Sequence, residues 1–206
     1  IEYTKMANDI GVDGIMIVTP YYSKPSQFGI LKHFEEVSKN TDLPIMAYNI
    51  PGRTATLIEI DTLEKLVDDI GIHSIKDAVG DLEFSKNELE ALKDKVDIYS
   101  GNDGETIEFM KMGGKGVVSV ASHIVGNEIY DLINHVLNDE IESAEHLQNQ
   151  LLPIFDLLFE EPSPGPVKYL LTKTWEDVGS PLMPITDISS ELANKLLDNF
   201  QKIKNN

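Results

Sequence analysis

The chain has 206 residues, 41% of them apolar and 25% charged, which is ordinary globular usage and enough length to bury a sizeable core. Lys and Arg total 17 against 35 Asp and Glu, a net charge of -18, the wrong sign for a nucleic-acid or anionic-membrane surface and one that suits a soluble cytoplasmic protein. There is no cysteine, so disulfides, thiolate nucleophiles and Cys-based metal sites are excluded.

The chain opens on an amphipathic helix with Tyr3, Met6, Ala7 and Ile10 on one face, stopped by Gly11. The run Gly14 to Thr19 is apolar at consecutive positions, as a strand buried on both faces should be, and Pro20 closes it. A helix with Phe28, Leu31, Phe34 and Val37 follows, then a strand from Pro44 to Ile50. The next helix shows Ile60, Leu63, Val67 and Ile70, with Gly71 at its end. A third strand spans Ile72 to Ala78 before a helix near 82–95. A fourth spans Val96 to Ser100 before a helix near 105–112, and a fifth spans Gly116 to Val120. Beyond it the pattern is helical only, near 126–138, 140–160, 166–176 and 188–203, interrupted by the Pro162 to Pro166 cluster and by Pro181 and Pro184.

Strands that alternate with helices at this spacing are parallel and joined by right-handed crossovers. No G-x-G-x-x-G or G-x-x-x-x-G-K-[ST] motif is present, which argues against a doubly wound nucleotide-binding sheet. The alternative is a (β/α)8 TIM barrel. Eight units take about 250 residues, roughly 31 per unit, so five units here imply three more upstream of Ile1. The expected organisation is a partial barrel over 1–125, βα units 4–8, with a C-terminal helical extension over 126–206. Taken alone, such a piece is expected to be inactive and poorly soluble, because its sheet edges and core are open.

Barrel chemistry sits at the C-terminal ends of the strands. Lys76 lies inside the third strand, where a charged amine is costly to bury; a neutral one can attack a carbonyl and form a Schiff base. The competing reading is a structural ion pair with Asp77 or another carboxylate. Arg53 is the one arginine among the 17 basic residues and follows the second strand, as a bidentate grip on a carboxylate would. A surface ion pair is the alternative. Tyr48, at the same strand end, can relay protons or simply pack. Tyr21 and Tyr22 sit in the loop after the first strand, where either can cap the barrel or reach a partner subunit. The five His show no H-x-H or H-E-x-x-H spacing, so no metal is expected, and Ser119 and Ser122 lack a G-x-S-x-G elbow. The carboxylates read mostly as solvated helix faces.

Several motifs fall in order on successive strand ends: Val18-Thr19-Pro20-Tyr21-Tyr22 with Pro25 and Gln27, Tyr48-Asn49-Ile50-Pro51-Gly52-Arg53-Thr54, Ile75-Lys76-Asp77-Ala78, Ser100-Gly101-Asn102-Asp103, Gly113 to Val120, and Pro164 to Lys168. Together they resemble the superfamily of class I aldolases that contains dihydrodipicolinate synthase and N-acetylneuraminate lyase. Arg53 resembles the dihydrodipicolinate synthase branch, since the lyases differ at that loop. The resemblance implies condensation of pyruvate with aspartate semialdehyde to 4-hydroxy-tetrahydrodipicolinate in lysine and diaminopimelate synthesis, with no cofactor, in a homodimer or homotetramer. It implies Lys76 as the imine-forming residue and Tyr48 as proton donor and acceptor. Tyr22 is then the relay crossing a subunit interface, Arg53 the carboxylate grip, Val118 and Gly101 substrate contacts, and Tyr21 a lining residue of a lysine feedback pocket. The paired threonines that bind the pyruvate carboxylate would lie upstream of Ile1. The alternatives are a related 2-keto acid lyase, of the N-acetylneuraminate or 2-keto-3-deoxygluconate type, and a non-catalytic scaffold paralogue.

Overall fold

The computed structural model describes residues 1–205 and divides into two compact units, Ile1–Val118 and the helices from Ser119 onward. In the first unit the elements run α1 (Glu2–Ile10), β1 (Ile15–Val18), α2 (Gln27–Ser38), β2 (Ile45–Asn49), a short α3 (Pro51–Thr54), α4 (Ile60–Lys65) continued by a wider turn to Ile70, β3 (Ser74–Asp77), α5 (Leu82–Ala91), β4 (Asp97–Ser100) and α6 (Thr106–Lys111). The strands form one parallel sheet in the order β1-β2-β3-β4, each joined to the next through helix, which is the arrangement that alternation at this spacing requires.

The helices start and stop where their end residues dictate. Ser26 caps α2 by accepting from the Gly29 amide, and Asp81 caps α5 by accepting from the amides of Glu83 and Phe84. Gly11 and Gly71 end their helices at φ of 78° and 79°, a region that favours glycine.

Side chains alternate across each strand, so the sheet has two distinct faces. Ile15 and Ile17 of β1, Ile45 and Ala47 of β2, Ile75 of β3 and Ile98 of β4 face the helices, where they meet Ile30, Phe34, Val37, Leu63, Leu66, Leu89, Leu92 and Phe109. Each fully buried large side chain there contributes about 1.5–3 kcal/mol. The opposite face carries Met16, Val18, Met46, Tyr48, Ser74, Lys76, Asp97 and Tyr99.

Three expectations need correction. The fifth strand is reduced to a single parallel bridge between Ser100 and Val117; Gly116, at φ 150°, turns the backbone out of strand geometry just before it. The first strand is not buried on both faces, because Met16, on the side away from the helices, is half exposed. The apolar faces of the first two helices are also misassigned in part. Tyr3, Met6 and Ile10 are exposed, and so is Phe28, while Ile30, Phe34 and Val37 carry the buried stripe of α2.

The second unit packs α7 (Ser122–Leu137), α8 (Ile141–Glu160), α9 (Gly165–Thr174) and α10 (Ser190–Lys204) against one another. Its core includes Ile129, Leu132, Leu151, Ile154, Leu158, Leu170, Leu192 and Leu196. Ser189 caps α10, and the Lys168 ammonium donates to the Val178 carbonyl, tying down the chain that leaves α9. No helix among the described residues is long and apolar enough to cross a membrane.

Candidate active site

All four strands point the same way, so the segments that follow Val18, Asn49, Asp77 and Ser100 leave one edge of the sheet. The register aligns Val18, Tyr48, Lys76 and Tyr99 as one cross-strand row near that edge. Lys76 is therefore placed by hydrogen-bonded backbone on both sides, and its side chain rises on the face opposite the helical core.

Lys76 is 8% exposed, and its Nζ lies 4.4 Å from the centroid of the Tyr48 ring. Burial pushes its pKa below the ordinary lysine value, and the carboxylate of Asp103 works against that shift. Burial pushes the Tyr48 phenol up, and the charge of Arg53 works against it. The pair thus combines an amine made easier to deprotonate with a phenol that keeps its proton, an arrangement able to set a nucleophile beside a proton donor.

The frame around this pair is built from backbone and short polar side chains. The Asn49 amide donates to the Ile58 carbonyl and its oxygen accepts from the Ile58 amide, both at 3.0 Å, pinning the loop after β2. Within that loop Thr54 donates to the Ile50 and Thr56 carbonyls, and Pro51 opens the short helix α3 that carries Arg53. Arg53 itself is exposed and acts on Tyr48 through its charge. Gly101 follows β4 so closely that a Cβ there would lie 2.6 Å from the Ala78 Cβ and 3.0 Å from the Lys76 Cε; its amide donates to the Asp77 carbonyl at 2.5 Å. Val118 donates its amide to the Ser100 carbonyl at 2.8 Å, which brings its backbone to the same strand end.

Tyr21 and Tyr22 lie outside the cross-strand row. They are 69% and 94% exposed on the loop after β1. Tyr22 sits at φ 67° and Lys24 at φ 47°, conformations that cost a non-glycine residue on the order of 1 kcal/mol and that turn the loop sharply. A cavity of about 620 Å³ lined by His73, Val96, Asp97 and Lys115 opens at the opposite, N-terminal edge of the sheet.

The structural ion pair weighed for Lys76 with Asp77 is not formed. Adjacent strand residues point to opposite faces, and the Asp77 carboxylate turns toward α5, where Oδ1 accepts from the Val79 amide at 2.8 Å and Oδ2 from the Ser85 hydroxyl at 2.5 Å. Nor are all the carboxylates solvated: Asp77, Glu88 and Asp103 are buried. Asp103, which acts on Lys76, belongs to a motif the sequence singles out, but its burial has no sequence signal. Glu88 does have one, since it shares the inward stripe of α5 with Ser85, Leu89 and Leu92.

Residues 1–203 match the family model described as the dihydrodipicolinate synthetase family. The 4-hydroxy-tetrahydrodipicolinate synthase of Bacillus subtilis is 42% identical over 191 residues, and synthase 1 of Halalkalibacterium halodurans is 41% identical over 196. These alignments cover 91% and 95% of this chain and 66% of each relative, so the chain spans about 66% of the length of these relatives. Among solved structures, the dihydrodipicolinate synthase of Bacillus anthracis superposes with a TM-score of 0.93 at 41% identity, covering 97% of this chain and 68% of that one. That of Cyanidioschyzon merolae, with lysine bound, gives 0.95 at 36% identity, covering 98% and 69%.

Proposed function

Given that this chain belongs to the dihydrodipicolinate synthetase family, we propose that it supplies the nucleophile and proton relay of a 4-hydroxy-tetrahydrodipicolinate synthase, joining pyruvate to aspartate semialdehyde through an imine on Lys76. The observation that carries this reading is the buried Lys76 amine 4.4 Å from the Tyr48 ring at the C-terminal edge of parallel strands. In the same reading the four strands and the bridged segment at Val117 are units 4–8 of a (β/α)8 barrel, with residues 126–206 as its helical extension.

The free amine of Lys76 attacks the keto carbon of pyruvate, and water leaves to give the iminium. Ordinary lysine is neutral in roughly one molecule in 2,500 at pH 7, and burial raises that fraction. The iminium draws electrons from the methyl carbon, which loses a proton and becomes the enamine carbon. That carbon attacks the aldehyde of the second substrate, whose oxygen takes a proton. The amine of the second substrate then adds to the iminium carbon, the ring closes, and Lys76 leaves as an amine. Tyr48 is the proton donor and acceptor, and its raised pKa keeps it charged with a proton between steps.

Arg53 orients the second substrate by its carboxylate. Gly101 and Val118 line the pyruvate side. Tyr22 serves as a relay for a neighbouring subunit's site in a homodimer or homotetramer, which accounts for a strained, exposed tyrosine with no role inside its own chain. Tyr21 lines a feedback pocket. The reaction needs no cofactor and runs in the cytoplasm.

Borohydride reduction of the full-length protein with pyruvate, followed by peptide mass analysis, tests the reading. A pyruvyl adduct on Lys76 supports it, and a folded protein without one points to a scaffold. Turnover of N-acetylneuraminate or 2-keto-3-deoxygluconate in place of condensation with aspartate semialdehyde would move the activity to the lyases.

A further inference from the structure

Behind the strand that carries Lys76 lie two buried carboxyl groups that the proposed chemistry does not use. Glu88 of α5 is 0% exposed and Asp77 of β3 is 3% exposed. Both Asp77 oxygens are supplied with donors, from the Val79 amide and the Ser85 hydroxyl. No N–H or O–H among the described residues donates to either oxygen of Glu88, and the group that acts on it is the neighbouring Asp77 carboxylate. Two acceptors cannot share a hydrogen bond unless one is protonated, and the donor-rich member is the one stabilised as an anion.

We infer that Glu88 is kept as a neutral acid that donates to the Asp77 carboxylate, and that this buried pair is a positioning device for Lys76. The connection runs through backbone. Asp77 directly follows Lys76, its side chain is gripped by Val79, Ser85 and Glu88, and its carbonyl accepts from the amide of Gly101, the residue packed against the Lys76 Cε. The pair fixes the end of β3 from the helix side while the amine works on the other.

The surroundings agree. Burial and the neighbouring Asp77 charge push the Glu88 pKa up to about 9. Burial, and to a lesser degree the charge of Asp81 at the cap of α5, push the Asp77 pKa up as well, while the hydrogen bonds from Ser85, Val79 and Glu88 pull it down. The titratable groups of the helices packed on α5 are Asp61, Glu64 and Lys65 of α4 and Glu108 and Lys111 of α6; Glu64 is half-buried and the others are exposed. None of them shifts Glu88, and its electrostatic partner is Asp77.

The sign of the pH dependence follows. Between the ordinary carboxyl value of 4.5 and about 9, the folded protein holds a proton at Glu88 that the unfolded chain releases, so rising pH lowers stability through this window. Glu88→Gln keeps a neutral donor and loses that slope. The melting temperature of the full-length wild type should therefore fall relative to Glu88→Gln by roughly 3 °C per pH unit between about pH 6 and about pH 8.5. Parallel curves would overturn the neutral acid.

The positioning role rests on the imine reading of Lys76 and is read by the rate of borohydride-trapped adduct formation with pyruvate. Glu88→Gln should react within about threefold of the wild type, and Glu88→Leu, which fills the space without donating, should lose about tenfold or more. A folded Leu variant at the wild-type rate, or a Gln variant that loses tenfold, overturns it. If the Leu variant does not fold, the Gln variant decides alone. If the wild type forms no adduct, the imine reading has failed and the positioning role falls with it, and the melting curves still decide whether Glu88 is neutral.

Discussion

Tyr48 and Lys76 are direct register partners on adjacent parallel strands, and the Lys76 Nζ lies 4.4 Å from the centre of the Tyr48 ring. The amine and the phenol are thus set by the same hydrogen-bonded ladder, and a small change in one strand moves both. Burial drives their pKa values in opposite directions, down for the amine and up for the phenol, which suits one to attack and the other to donate.

In the proposed reaction Lys76 is the nucleophile, and replacing its amine removes it. Lys76→Met, similar in length and uncharged, should leave a folded protein, abolish the pyruvyl adduct and lower turnover by at least ~10³-fold. Reduction with borohydride and a far-ultraviolet dichroism spectrum check both halves.

In the proposed reaction the acid limb of adduct formation reports the amine itself. Because burial depresses the folded pKa of Lys76, the rate should rise with pH to a midpoint below the ordinary lysine value of 10.5. Asp103→Asn removes the opposing carboxylate and should shift that midpoint lower still. A stopped-flow pH profile measures both. Stability carries the same sign: above the folded pKa the unfolded chain binds the proton the folded one has lost, so Lys76 contributes a rise in stability with pH that Lys76→Met lacks.

Tyr48→Phe keeps the ring beside Lys76 and deletes the hydroxyl. Turnover should fall by ~10²–10⁴-fold with little change in KM for pyruvate, measured by steady-state kinetics.

In the proposed reaction Arg53→Ala should separate the two substrates. Charge-assisted hydrogen bonds contribute about 1.5–3 kcal/mol, so kcat/KM for aspartate semialdehyde should fall roughly ten- to a hundredfold while the adduct with pyruvate forms normally. Equal losses with both substrates would place Arg53 in the support of Tyr48 instead.

Gly101→Ala puts a methyl group 2.6 Å from the Ala78 Cβ and 3.0 Å from the Lys76 Cε, where backbone must move. Overpacking of this kind costs about 1–3 kcal/mol, and a lowered melting temperature with slower adduct formation is the expected result.

Except for a fifth strand that forms only a single bridge, the alternation of helices and parallel strands and their approximate limits could be read along the chain, as could the candidacy of Lys76, Tyr48 and Arg53 as site residues. These depend on local signals: apolar periodicity, glycine and proline punctuation, and a lysine inside an apolar run. Which face of each element is covered could not be read that way. Phe28 and Ile30 lie two apart on one helix, yet Phe28 is exposed and Ile30 is buried, because the packing partners come from strands and helices distant in sequence. The fate of three carboxyl groups was settled in the same manner. Asp77 turns away from its neighbour Lys76, Asp103 acts on the amine from the next strand end, and Glu88 is sealed against Asp77, since only the folded chain removes water from one group and brings the charge of another beside it.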